Sequence, residues 1–194
     1  NISDQNGNIL MSSNGIFIAD ASGDTMLNGS GINPSQHTTN WSSVGLNLPD
    51  VDLFLPFPGD SSKYFLFHET SNYPTNLTAK LFYSIIDLSL NGGLGAVVQK
   101  NIVPTLPQLS AGLSACKHAN GRDWWILMPE DSSNVIWKIL LTNQGIASIT
   151  SQAVCPITTF HSSDSQVKFS PDGNKFAFVT QRYLYPGSAS SIIQ

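Results

Sequence analysis

The residues best placed to do chemistry together are His118, Asp123, Trp124 and Trp125, in the run Lys117-His118-Ala119-Asn120-Gly121-Arg122-Asp123-Trp124-Trp125. A histidine at a strand end, facing an aspartate across a turn, can hold a ligand, relay a proton or brace the turn by a hydrogen bond. We read His118 and Asp123 as a structural brace. Trp124 and Trp125 fall on opposite faces of one strand. One is expected in a core and the other over a neighbouring unit or loop, with sugar stacking as the functional alternative.

Other constellations carry less. His161-Ser162-Ser163-Asp164 holds the residue types of a hydrolytic triad, but neighbours in one loop cannot orient one another as nucleophile, base and anchor. Gly112-Leu113-Ser114-Ala115-Cys116 ends in Cys where a nucleophile elbow needs Gly. Asn91-Gly92-Gly93-Leu94-Gly95 precedes a strand instead of a helix, so it reads as a hairpin turn and not a phosphate cradle. Asp4, Asn6 and Asn8 alternate, as do Asp20, Ser22 and Asp24, a spacing that can hold Ca²⁺. Their glycines fall too early for a calcium loop and no Glu closes it, so Asx turns are expected and no cofactor is assigned. Cys116 and Cys155 permit one disulfide; the alternative is two small buried hydrophobes. No Cys/His spacing suggests zinc.

The elements that must position these groups are strands. A tight polar turn followed by an alternating apolar run recurs at Asp4–Asn8, Pro58–Asp60, Asn120–Asp123 and Pro171–Asn174. The turn glycines Gly7, Gly59, Gly121 and Gly173 return about every fifty to sixty residues, the length of one four-stranded propeller blade. Helical periodicity is nearly absent. The predicted fold is all-β and β-propeller-like, with antiparallel four-stranded blades in units of roughly 1–50, 51–110, 111–160 and 161–194. Strand counts of about three, four, four and two make about three and a half blades, an incomplete ring. An open blade face of ~400 Å² would forfeit roughly 10 kcal/mol. Asn1 and Gln194 are therefore expected to interrupt a longer chain. The remainder of that chain, or another protein, is expected to cover the open faces, and the 194 residues made alone are expected to aggregate or melt without cooperativity.

Bulk composition narrows the partners. Hydrophobic residues make up 41% of the chain, enough for a core, and charged residues only 11%. The net charge is −4 and the nine Lys and Arg are scattered, which argues against nucleic acid. No apolar run reaches the ~18 residues of a membrane helix.

Five segments, in order, carry a family resemblance: Ser3-Asp4-Gln5-Asn6-Gly7-Asn8-Ile9-Leu10; Met26-Leu27-Asn28-Gly29-Ser30-Gly31; Tyr83 through Gly95; Lys117 through Trp125; and Phe169-Ser170-Pro171-Asp172-Gly173-Asn174-Lys175. Together they resemble the propeller-like N-terminal region of large secreted surface proteins of Bacteroidetes, cargo of type IX secretion. The aromatic strand opening expected before Asp4 is missing, as is a sorting domain after Gln194. The resemblance implies export and display at the extracellular or outer cell surface, and no catalytic residues. Asp24-Thr25-Met26 also resembles the short pattern those bacteria O-glycosylate, which makes Thr25 a candidate acceptor.

The expected function is a non-enzymatic, exported cell-surface segment serving as scaffold, adhesion or protein-interaction module, with surface glycans among its candidate partners. The alternative is a carbohydrate-binding or hydrolytic propeller with a site at the central channel.

Overall fold

A computed structural model describes residues 1–48, 50–72, 77–110, 112–131, 133–154, 166–184 and 188–193. The chain is all-β, with 52% strand and 5% helix. The first unit holds β1 (Ile2–Ser3), β2 (Ile9–Ser13), β3 (Phe17–Ala19) and β4 (Thr25–Ser30). A short helix, α1 (Gln36–Asn40), lies in the link to the second unit, which holds β5 (Asp52–Pro56), β6 (Lys63–Asn72), β7 (Leu77–Asp87) and β8 (Ala96–Ile102). The third holds β9 (Ser114–Lys117), β10 (Trp124–Pro129), β11 (Val135–Thr142) and β12 (Gly145–Ala153), and the fourth β13 (Gln166–Phe169), β14 (Phe176–Leu184) and β15 (Ser188–Ile193).

Within each unit, consecutive strands pair antiparallel. The units are not four separate sheets. One parallel bridge, Leu27 to Ala96, joins β4 to β8 and merges the first two units into an eight-stranded sheet. The third unit is a sheet of four strands and the fourth a sheet of three. The first unit does have an opening strand, the two-residue β1, where the sequence suggested none.

The recurring turn has one place in every unit: it joins the first strand to the second. Gly7, Gly59, Gly121 and Gly173 all have φ between 70° and 85°, a left-handed backbone that only glycine adopts without strain.

Alternation along the strands supplies the packing. Met11, Ile18, Met26 and Ile32 of the first unit and its exit meet Phe54, Leu66, Ile86 and Val97 of the second. The opposite face of the second unit, Leu55, Phe65, Phe67 and Leu81, meets Ile126, Met128, Ile139 and Leu141 of the third. Leu127 and Ile136, on the far face of the third, meet Val167 and Phe178 of the fourth. Each core therefore lies between units stacked in chain order, the first core being lined by the nearly closed eight-stranded sheet that the first two units share. Phe65, Phe67, Phe82, Ile126 and Ile139 are buried, and Ile85, Trp125, Phe169 and Phe176 half-buried.

The stack has two ends. The first strands run from one end, where the chain passes between units, to the other, where the glycine turns lie. The Trp124 indole N–H donates to the carbonyl of Pro56 at 2.9 Å, placing the finish of β5 beside the start of β10. At the opposite end, Asp50 accepts from Gln166 at 2.8 Å and from Lys168 at 3.3 Å.

Candidate functional site: two ends of the stack

At the turn end, polar groups satisfy one another locally. The Asp4 carboxylate accepts from the backbone N–H groups of Asn6 and Asn8, at 2.8 and 2.9 Å, and from the Asn8 side chain at 2.9 Å. Asp20 accepts from the Ser22 N–H and hydroxyl at 2.8 and 2.6 Å. These are Asx turns, as their spacing suggested. Among the described residues no group of three or more His, Cys, Asp or Glu is arranged to hold a metal ion.

His118 and Asp123 sit on the matching turn of the third unit. The backbone N–H of His118 donates to the carbonyl of Asp123 at 2.9 Å. Asn120 stands between their side chains. Its backbone N–H donates to His118 Nδ1 at 3.1 Å and its amide to Asp123 Oδ2 at 2.7 Å. Arg122 adds two bonds to the same carboxylate, at 2.8 and 3.1 Å. The Arg122 and Asn120 donors hold Asp123 down at about 2. The His118 ring lies against Trp125, centroids 5.8 Å apart. Trp124 faces the second unit and carries the Lys117 ammonium 3.8 Å above its ring.

Cys116 is a free, half-buried thiol beside the Pro171–Asn174 turn, and burial pushes its pKa up. Cys155 and the run His161 to Asp164 lie outside the described residues. Thr25 is exposed at the start of β4, while Met26 beside it is core.

The connector end is different. β6 carries Phe65, Leu66, Phe67, His68, Glu69, Thr70 and Ser71, all buried, so this strand is covered on both faces. His68 is served: its Nδ1 donates to Asn33 Oδ1 at 2.7 Å, and its Nε2 faces the Ser84 hydroxyl at 2.9 Å. The Asn33 amide is fixed in that orientation because its nitrogen donates to the carbonyl of Gly15 at 3.1 Å. Burial holds the imidazole neutral, its pKa down at about 3. Thr70 is served as well, meeting the hydroxyl of Ser35, the N-cap of α1, at 2.6 Å.

Glu69 is not served. Its side chain is fully buried and neither carboxylate oxygen has a hydrogen-bond partner. Ser71 Oγ, two residues on and on the same face, is also buried without one. Asp52, on β5 and paired with His68 of β6, accepts hydrogen bonds from the Ser13 side chain and the Gly15 backbone of the β2–β3 turn, while its Oδ1 is buried and unpartnered. Desolvation pushes Asp52 up, and pushes Glu69 up strongly with added repulsion from Asp52 and Asp50.

No match decides this chain's identity. Family models, curated proteins and solved structures were compared with it, and none is similar.

Beside the acids opens a cleft of about 350 Å³, lined by Ser13, Asn14, Asp50 and Asp52 with Val44, Leu46 and Leu48. Sequence reasoning singled out the turn-end pair His118 and Asp123 and passed over Glu69 and Asp52. The available signal was the unbroken run Tyr64-Phe65-Leu66-Phe67 ahead of His68-Glu69, which marks a strand buried on both faces.

Proposed function

We propose that this chain is a propeller-like scaffold or protein-interaction segment of an exported, surface-displayed protein, working without catalysis. One observation carries the propeller reading. Asp50, at the head of the second unit's first strand, bonds Gln166 and Lys168 on the fourth unit's first strand, across the third. First strands of non-adjacent units meet when units are arranged around a common axis. The sparse charge of the chain and its locally satisfied turns suit an exported β-protein. Leu27, 57% exposed and pointing away from buried Met26, leaves an apolar position on the first unit for the rest of a longer chain or another protein to cover.

The test is accessibility on the producing cell. A tagged parent protein should be cleaved by protease added to intact cells, and its purified form should capture surface glycans or proteins. Full protection in intact cells, with cleavage only after lysis, would sink the reading.

The cleft beside Asp50 and Asp52 favours a second reading, a carbohydrate-binding or hydrolytic site at the axis. Carboxylates accept from sugar hydroxyls, and the aliphatic wall of Val44, Leu46 and Leu48 offers an apolar face. On that reading, Asp50→Asn abolishes glycan binding or hydrolysis and His118→Ala does not. Equal loss in both variants argues against it.

A further inference from the structure

The connector end contains a conflict that its own hydrogen bonding resolves only in part, since Ser13 and Gly15 serve Asp52 and nothing serves Glu69. Glu69 has two sealed oxygens without a donor, and Asp52 has one. A bare carboxylate shut away from water is among the most unfavourable groups a fold can hold, whereas a neutral carboxylic acid is far less so. The closed arrangement and the ionised carboxyls therefore oppose each other.

Of the charged and titratable groups around this corner, the N-terminal ammonium favours ionised Asp52, and none donates to Glu69. The lead-in to β5 brings Asp50, a third acid. On β6, His68 is neutral and points to the opposite face. On α1, His37 meets Asn47 through Nε2 at 3.0 Å, and its Nδ1 is sealed. On β7, the Lys80 ammonium lies 5.0 Å from the centroid of the Phe82 ring. The third unit adds Glu130, held by the Trp137 indole at 2.7 Å, and Asp131, which accepts from Gln108. On β13, Lys168 is already engaged by Asp50.

β5 is the edge of the eight-stranded sheet, and its head meets β6 through the Glu69 N–H bonded to the carbonyl of Val51 at 3.0 Å. The ion pair from Asp50 to Lys168 is solvent-exposed and adds little.

We propose that the connector end is a proton-gated latch: the head of β5 stays paired to the end of β6 while Glu69 and Asp52 carry protons, and lifts away when they ionise. The sign follows from linkage. A carboxyl whose pKa is raised in the closed form binds its proton more tightly there. The latch is therefore most closed below the ordinary carboxylate range and opens as pH rises through the raised value. Each unit of separation between closed and open pKa shifts the equilibrium about tenfold. His68 works the other way, since its lowered pKa favours closure as pH rises toward its ordinary value, so each carboxyl must be isolated by comparing variants.

The experiment is amide hydrogen exchange on the full chain at pH 5, 6.5 and 8, corrected for the intrinsic rate. Wild type should lose protection between Val51 and Ser71 by at least about tenfold from pH 5 to 8. β10 and β11 should hold theirs. Glu69→Gln removes the titration with little change of shape and should flatten most of that response; Asp52→Asn should flatten part of it. Asp123→Asn, at the turn end, should keep the wild-type response. If Glu69→Gln does not fold, wild type and Asp52→Asn decide. Unchanged protection in wild type, an unaltered response in the carboxyl variants that fold, or a loss spread evenly over β10 and β11 would each overturn the latch.

Discussion

The two ends of the stack handle acidic side chains in opposite ways. At the turn end Asp4, Asp20, Asp60, Asp123 and Asp172 are all held below the usual carboxylate range by nearby donors. At the connector end Asp52 and Glu69 are pushed above it by desolvation. Asp50 is low because Gln166, from another unit, reaches it. The turn donors come from within a few residues, so each turn carries its own solution. The connector end depends on segments far apart in sequence, and there the matching is incomplete. Local satisfaction gives a rigid frame; incomplete long-range satisfaction leaves the site able to respond to protons or partners.

The largest test asks whether the two ends belong to one cooperative unit. Phe67 is fully buried between the second and third units. Phe67→Ala should cost ~3–5 kcal/mol in urea unfolding. Exchange protection should fall at both ends together. If only one end responds, the stack is not one cooperative structure.

A smaller effect, of opposite sign, separates the ends. Glu69→Leu replaces a sealed, unpartnered carboxyl with an apolar side chain of similar size. Unfolding at pH 8 should show a gain of ~1–3 kcal/mol. Asp123→Leu, which strips the donors of Arg122 and Asn120 of their acceptor, should destabilise. Two losses would mean that Glu69 has a donor in solution.

Smaller again is Gly121→Ala. Open space surrounds the position, but its φ is 72°. The variant should lose ~1–2 kcal/mol, from the backbone alone. Gly121→Asn should lose less, because Asn tolerates that conformation. Equal losses would show that the turn is not held in this geometry.

The finest distinction is the acid limb of stability. Asp60, Asp123 and Asp172 sit at about 2 in the folded chain. Depressed carboxyls contribute stability above their unfolded value near ~4, and that contribution fades as pH falls toward ~2. Asp52 and Glu69 contribute in the other direction. Asp60→Asn should therefore shallow the loss between pH 4 and 2, and Glu69→Gln should leave it unchanged. A steeper acid limb in Asp60→Asn would reverse the assignment.

What was legible in the sequence follows the same division. The glycine turns and alternating runs are local signals, and they placed the first-to-second strand turn of every unit. They also placed a four-stranded third unit within 111–160, where β9 to β12 lie. Signals that depend on distant segments were missed. β1 is only two residues long, and β5 ends at Pro56. α1 has a Ser35 cap but only five residues, too few to show an apolar period. The bridge from Leu27 to Ala96 joins positions that no turn connects. Glu69 resembles any polar residue alternating out of a strand until the third unit is packed on the face it shares with Phe65 and Phe67.

The contact of Trp124 with Pro56 also gives the molecule an optical reporter. The indole N–H is bound to a carbonyl of the neighbouring unit, and a lysine ammonium lies on the ring. Parting the second and third units would expose that ring to water and remove its acceptor, shifting its emission to the red. Trp41 lies beside His37 in the link at the far end, ring centroids 6.1 Å apart. With the other tryptophans replaced in turn, emission from Trp124 and Trp41 would follow the two ends separately, without an attached dye.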